Sequence, residues 1–181
     1  MKLFRSGPPP HQTALAMVGA KAGSTVIVVG ARDPALTAEI ALVTGLNGRT
    51  LVVDPSGEER PRIEAAAANA GALVDIETAP LTSLPLADGA ADVAVIIDLG
   101  DASSRDQIVR EAARVVRPGG RLVVIEGKKT GGLRKLWTGG GSSDAIAADE
   151  ILAVLSAAGL RATRLLGSVE GVSYFEGTKS A

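Results

Sequence analysis

The chain has 181 residues, with 46% hydrophobic and 22% charged side chains and a formal net charge of −1, which fits one ordinary globular domain over residues 1–181 and excludes a two-domain enzyme. There is no cysteine, so disulfides, thiolate metal sites and a cysteine nucleophile are excluded. Balanced charge and 2% aromatic residues argue against nucleic acid as an obligate partner, because phosphate binding calls for excess Lys and Arg and single strands call for stacking platforms.

The Pro-rich stretch Pro8 to Pro10 leads into a short helical pattern, HQTALAMVGAK, which Gly23 closes. Thr25 to Val29 is a continuous β-branched run, as expected of a strand buried on both faces of a parallel sheet. Asp33 followed by Pro34 reads as an N-cap and first-turn proline, opening a helix that stops near Gly45. Thr50 to Val53 is the second strand. Ser56 with Glu59 reads as a capping box for an alanine-rich helix that ends at Gly71, and Leu73 to Ile76 is the third strand. After the turn-rich TAPLTSLPLADG, the run DVAVIID is a fourth strand, and Ser104 with Gln107 is a second capping box. Arg117, Pro118, Gly119 and Gly120 stop the next helix and turn the chain into a strand at Leu122 to Ile125.

Residues 127–141 contain six glycines among fifteen, with Lys128, Lys129, Arg134, Lys135 and the sole tryptophan, Trp137; they read as a basic flexible loop, a lid or a weak membrane-surface contact being the alternatives. A last helix runs to Ala158, and strands around Ala162 to Leu166 and Val172 to Glu176 close the chain as a hairpin. Alternating strands and helices predict an α/β fold: a Rossmann-like, doubly wound, mostly parallel seven-stranded sheet with helices on both faces and a C-terminal antiparallel hairpin. No apolar run approaches the roughly 20 residues of a transmembrane helix. The start MKLFRSGPPP lacks the apolar core of a secretory signal, so the expected location is cytoplasmic.

Ligands of such sheets sit outside the carboxyl ends of the strands at the switch point, which directs attention to Gly30 to Pro34, Asp54, Pro80 to Leu84 and Asp98 to Asp101. The order of segments VIVVGARDPALTAEIA, LVVDPS, SLPLADGAADVAVI, REAARVVRPGGRLVVIE, ILAVLSAAGL and SYFEGTK resembles the class I S-adenosylmethionine-dependent methyltransferases. The likeness runs from about Ala22 to Lys179 and is strongest to small-molecule methyltransferase domains, among them quinone-biosynthesis enzymes. It implies S-adenosyl-L-methionine as cofactor and a small-molecule methyl acceptor as partner, while monomer and homodimer both stay open.

The cofactor loop departs from the family. Aligned on TAEIA, Gly30 is kept, but Val28 stands where the strand acid falls, Arg32 at the second glycine and Pro34 at the third. A left-handed Arg32 would cost about 1–2 kcal/mol, so the loop is expected to take a different path. The resemblance places Gly30, Ala31, Arg32, Asp54, Pro55, Leu81, Thr82 and Asp98 at the cofactor. Arg32 is the candidate partner of its carboxylate, Asp54 of the ribose hydroxyls, backbone groups of Leu81 and Thr82 of adenine, and Asp98 of its amino group or of substrate. The alternatives are a solvated Arg32 and a turn-forming Asp54 before Pro55. His11, the only histidine, reads as a surface or packed residue before it reads as a base, and no catalytic residue is assigned. Two other functions stay open: a catalytically weak or inactive methyltransferase-like binding or scaffold domain, and a nucleotide-binding oxidoreductase, whose G-x-G-x-x-G spacing GARDPA lacks.

Overall fold

The computed structural model describes residues 11–100, 102–127 and 148–181. In chain order the elements are α1 (Gln12–Val18), β1 (Thr25–Val29), α2 (Pro34–Thr44), β2 (Arg49–Val53), α3 (Arg60–Ala70), β3 (Asp75–Glu77), β4 (Ala91–Ile97), α4 (Ala102–Val115), β5 (Val116–Gly127), α5 (Ala148–Ala157), β6 (Arg161–Val169) and β7 (Val172–Thr178). The strands form one seven-stranded sheet in the order β3-β2-β1-β4-β5-β7-β6. Strands β1 to β5 pair in parallel, and β7 is antiparallel to both β5 and β6.

Side chains alternate across a strand, and both faces of this sheet are apolar. Ile27, Val29, Leu51, Val53, Ala94, Ile96, Leu122 and Val124 point to one face, against Val109 and Ala112 of α4 and Ile151 and Leu155 of α5. Val26, Val28, Val52, Val93, Val95 and Val123 point to the other, against Val18 of α1, Leu36 and Ile40 of α2, and Ile63 of α3. Each fully buried Val, Leu or Ile contributes about 1.5–3 kcal/mol relative to exposure, so the two faces hold most of the folding drive. The order reverses between β1 and β4, which places a crevice at their carboxyl ends.

The amino end of β4 is tied down by charge. Asp92 accepts the Thr25 N–H at 2.7 Å on one carboxylate oxygen and the Arg117 Nε–H at 2.6 Å on the other. The Thr25 amide first, and then Arg117, hold the Asp92 carboxyl below the ordinary carboxylate range. Nearby, Glu111 of α4 accepts the Leu84 N–H at 3.0 Å and pairs with Arg114, which also donates to the Leu84 and Leu86 carbonyls and to Asp88. The Arg117 to Gly120 stretch, which the sequence reading took for a turn before the strand, is an irregularity inside β5 and is glycine-dependent in two ways. Gly119 has φ +75°, and a Cβ on Gly120 would lie 2.7 Å from the Asp92 carbonyl oxygen. Lys179 donates to the carbonyls of Ala113, Arg114 and Val116 at 2.8–3.0 Å, which satisfies the orphan C-terminus of α4.

Several boundaries differ from the sequence reading. Helix α1 ends at Val18, capped by a left-handed Gly19, instead of running on to Gly23. Ser56 is not an N-cap: α3 begins at Arg60, and the Glu59 N–H that a capping box would give to the Ser56 oxygen goes instead to Asp54 Oδ2 at 2.9 Å, a carboxylate being the stronger acceptor. Ser104 lies inside α4, which starts at Ala102, so it does not precede that helix as a cap. Strand β3 starts at Asp75, leaving Leu73 75% exposed. The loop expected at 127–141 lies outside the described residues apart from Gly127, as does Asp101. Among the described residues no helix is long and apolar enough to cross a membrane.

Candidate active site

Two cavities open at the carboxyl ends of the central strands. The smaller, of about 180 Å³, lies between the ends of β1 and β4 and the start of α4, and its lining includes Gly30, Arg32, Leu81, Asp98, Ser104 and Ile108. The larger, of about 480 Å³, lies between α1, the start of α2 and the β6–β7 turn; His11, Asp33, Asp98, Glu170 and Tyr174 line it. Ile97 and Asp98 belong to both linings, so the two cavities meet at the end of β4.

Within residues 30–34 the left-handed backbone falls on Gly30. Gly30 carries the left-handed turn at φ +85°, where a Cβ would meet only a Leu81 methyl at 3.8 Å. Arg32 is not among the positive-φ residues, so the turn leaves its backbone unstrained, and its side chain is exposed at the smaller cavity. Asp33 then caps α2, its Oδ1 accepting the Leu36 N–H at 2.9 Å, as the Asp-Pro pair predicts.

Asp98 is a strained residue at the junction of the two cavities. It has φ +65°, a region that non-glycine residues seldom occupy and Asp tolerates better than most. Its N–H donates to the Ile125 carbonyl at 2.9 Å, and its Oδ1 accepts the Gly100 N–H at 3.1 Å. The next amide, of Leu99, donates to Glu126 at 2.6 Å. These bonds fix the carboxylate at the junction of the cavities, and stored backbone strain of this kind clusters at functional positions.

Four of the eight residues singled out for the cofactor, Gly30, Arg32, Leu81 and Asp98, therefore meet in one lining. The other four stand elsewhere. Ala31 is buried in the core beside Leu36. Asp54 is 2% exposed, its Oδ2 accepting the Glu59 N–H at 2.9 Å and its Oδ1 the Ser56 N–H and hydroxyl at 3.3 Å each. Pro55 is exposed and Thr82 half-buried, both outside the lining.

The sequence reading did not single out Glu170 and Tyr174. The signal was present in Glu170-Gly171: both residues have positive φ, at 52° and 83°, as a two-residue hairpin turn requires. That turn sets Glu170 on the rim of the larger cavity, and β7 sets Tyr174 in its wall. Burial, and then the charge of Glu170, push the Tyr174 phenol up. Among the described residues no group of three or more His, Asp and Glu side chains could hold a metal ion.

The architecture, with β7 inserted antiparallel between β5 and β6 and a crevice where the order reverses, is that of the class I S-adenosylmethionine-dependent methyltransferases. A methyltransferase domain family matches residues 29–124, just over half of the chain, and the chain belongs to that family. The ubiquinone/menaquinone biosynthesis C-methyltransferase UbiE of Hahella chejuensis is 29% identical over 114 residues, covering 61% of this chain and 46% of its own length. The chain thus spans about half the length of the curated relatives it matches. A SAM-dependent methyltransferase from Aquifex aeolicus superposes with a TM-score of 0.73 at 20% identity, covering 93% of this chain and 88% of that one. The [4+2]-cyclase SpnF superposes with a TM-score of 0.67 at 20% identity, covering 93% and 79%. Likenesses at this identity speak for the fold alone, and the cyclase warns that the fold hosts more than one named chemistry.

Proposed function

We propose that the chain binds S-adenosylmethionine in the crevice between β1 and β4 and transfers its methyl group to a small molecule held in the larger cavity. The observation that carries this reading is the pairing of Arg32 and Asp98 on one 180 Å³ lining. The aminoacyl end of the cofactor is a zwitterion, and a guanidinium and a carboxylate facing one small space match its two charges. Gly30 leaves the backbone open beside them. Arg32 thus takes over anion binding from the family's missing glycines, while Asp33 occupies the end of α2.

The smaller cavity falls below the roughly 300–1,000 Å³ usual for small-molecule sites, so it suits the aminoacyl end, with adenosine extending along Leu81 toward Asp54. The Ser56 contacts to Asp54 Oδ1, at 3.3 Å, are long, which makes that oxygen the one to be exchanged for a ribose hydroxyl. The cofactor supplies an electrophilic methyl group on a sulfonium, whose departure leaves an uncharged thioether. The larger cavity, at about 480 Å³, has the volume of an acceptor site and shares Ile97 and Asp98 with the cofactor side. The resemblance to quinone-biosynthesis methyltransferases supports a small, ring-bearing acceptor.

A second reading, a methyltransferase-like binding domain without turnover, is favoured by the Asp54 carboxylate, which is 2% exposed and engaged with its own loop. Calorimetric titration with S-adenosylmethionine and S-adenosylhomocysteine, with NAD as control, separates the two. Micromolar binding of the first pair and none of NAD is the expected result, and no binding at millimolar ligand leaves the binding-domain reading.

A further inference from the structure

His11 stands just before α1 and lines the larger cavity. Its Nδ1 is 2.8 Å from Glu39 Oε1, a partner 28 residues away on α2. Its Nε2 is 3.4 Å from Asp33 Oδ2, beyond the 2.7–3.2 Å of a good N–H···O bond. Asp33 is itself held in place by the Leu36 amide on its other oxygen. The remaining titratable groups on this lining are Asp98 from the end of β4, Glu170 from the β6–β7 turn and Tyr174 from β7. Burial pushes the Tyr174 phenol away from neutral-pH chemistry, and Asp98 accepts a backbone amide. Among these groups imidazole has the basicity best matched to taking a proton near neutral pH.

We propose that His11 is the proton acceptor for methyl transfer in the larger cavity, with Glu39 as the positioning residue that keeps the proton on Nδ1 and leaves Nε2 bare. The inference rests on the reading of the two cavities as cofactor and acceptor sites. The acceptor's nucleophilic pair, a lone pair on N or O or, for an activated C–H, the pair freed on carbon as its proton leaves, forms the new bond to the methyl carbon; the carbon–sulfur pair stays on sulfur, and the acceptor's proton passes to His11 Nε2. The positive charge on the ring then falls between the carboxylates of Glu39 and Asp33, 2.8 and 3.4 Å away. Such a base selects acceptors that carry a proton on the nucleophilic atom, namely N–H, phenolic or enolic O–H, or an activated C–H. Acceptors without one, such as tertiary amines and thioethers, would gain nothing from it.

Because the chain has a single histidine, its imidazole signals need no assignment. Long-range ¹H–¹⁵N correlation at pH 8.5 on uniformly labelled protein is expected to show Nδ1 protonated and Nε2 bare, and Glu39→Gln to move the ring toward a mixture of tautomers. A wild-type ring protonated on Nε2 at that pH overturns the proposal. A second arm uses tritiated S-adenosylmethionine with catechol, hydroquinone and phenethylamine as probe acceptors. For any that turns over, His11→Gln should lower kcat by about 100-fold or more and flatten the acidic limb of the pH profile, with S-adenosylmethionine affinity within twofold by calorimetry. An unchanged pH profile in that variant overturns the proposal as well. Absence of cofactor binding to the wild type overturns the methyltransferase reading and the methyl-transfer role of His11 with it, whereas a ring protonated on Nε2 in a wild type that does bind the cofactor overturns the role of His11 alone.

Discussion

The two ends of β4 are built to opposite purposes. At the amino end both oxygens of Asp92 are engaged, by the Thr25 amide and by Arg117, and the Gly119-Gly120 stretch is packed until no Cβ fits at its second glycine. At the carboxyl end Asp98 sits at φ +65° between two cavities that together open about 660 Å³. The segments that carry the family likeness most clearly, LPLADG and RVVRPGG, belong to the first end and brace the scaffold. The loop that departs from the family, GARDP, belongs to the second. Resemblance in such a fold therefore reports the frame first, and the chemistry has to be argued from the other end.

The sharpest way to break the frame is Gly120→Ala. Its Cβ would press within 2.7 Å of the Asp92 carbonyl oxygen, and a backbone atom cannot swing aside, so we expect a loss of about 3 kcal/mol in urea unfolding. Asp92→Asn should cost about 1.5–3 kcal/mol at pH 7, the usual worth of a hydrogen bond to a charged group. The pH dependence carries a defined sign. Asp92 is held below the ordinary carboxylate range, mainly by the Thr25 amide and then by Arg117, and Glu111 likewise, mainly by Arg114. Their stabilisation is fully present above the unfolded value, about 4, and is lost as pH falls through the lower folded value. The gap between wild type and Asp92→Asn should accordingly narrow below about pH 4 in acid titrations of the melting temperature.

At the opposite end, Arg32→Ala should change stability by less than about 0.5 kcal/mol, since the side chain is exposed and the backbone there is unstrained. It should nonetheless weaken S-adenosylhomocysteine binding by about tenfold or more. Arg32→Gly asks the same question from the family's side: affinity that rises there would make Arg32 an obstruction, and affinity that falls makes it a ligand.

The central strands β1, β2 and β4 were legible because each holds a short run rich in Val and Ile bounded by turn residues, and strand alternation with alanine-rich helices was enough for the sheet. Helix boundaries were less so. Ser56 looks like a cap until Asp54, two residues earlier, takes the Glu59 amide that the cap would need, and Gly23 looks like a stop until Gly19 adopts the left-handed turn first. Within the site, Gly30, Arg32, Leu81 and Asp98 could be placed by motif position. The pairing of His11 with Glu39 joins residues 28 apart, and only the packing of α1 on α2 reveals it. Glu170 was hidden for a similar reason: its turn was readable, but the end of the sheet on which it lands depends on β7 running antiparallel to β5.

In the proposed cofactor mode, Arg32 and Asp98 hold the aminoacyl end of S-adenosylmethionine in place of the family's glycine loop. The most direct test compares, by calorimetry on the wild-type protein, S-adenosylhomocysteine with 5′-methylthioadenosine, which lacks the aminoacyl end. The account predicts that the first binds about 100-fold tighter, as expected for two charge-assisted contacts of at least 1.5 kcal/mol each. Equal affinities would contradict it, and would place whatever cofactor binding exists on the adenosine side alone.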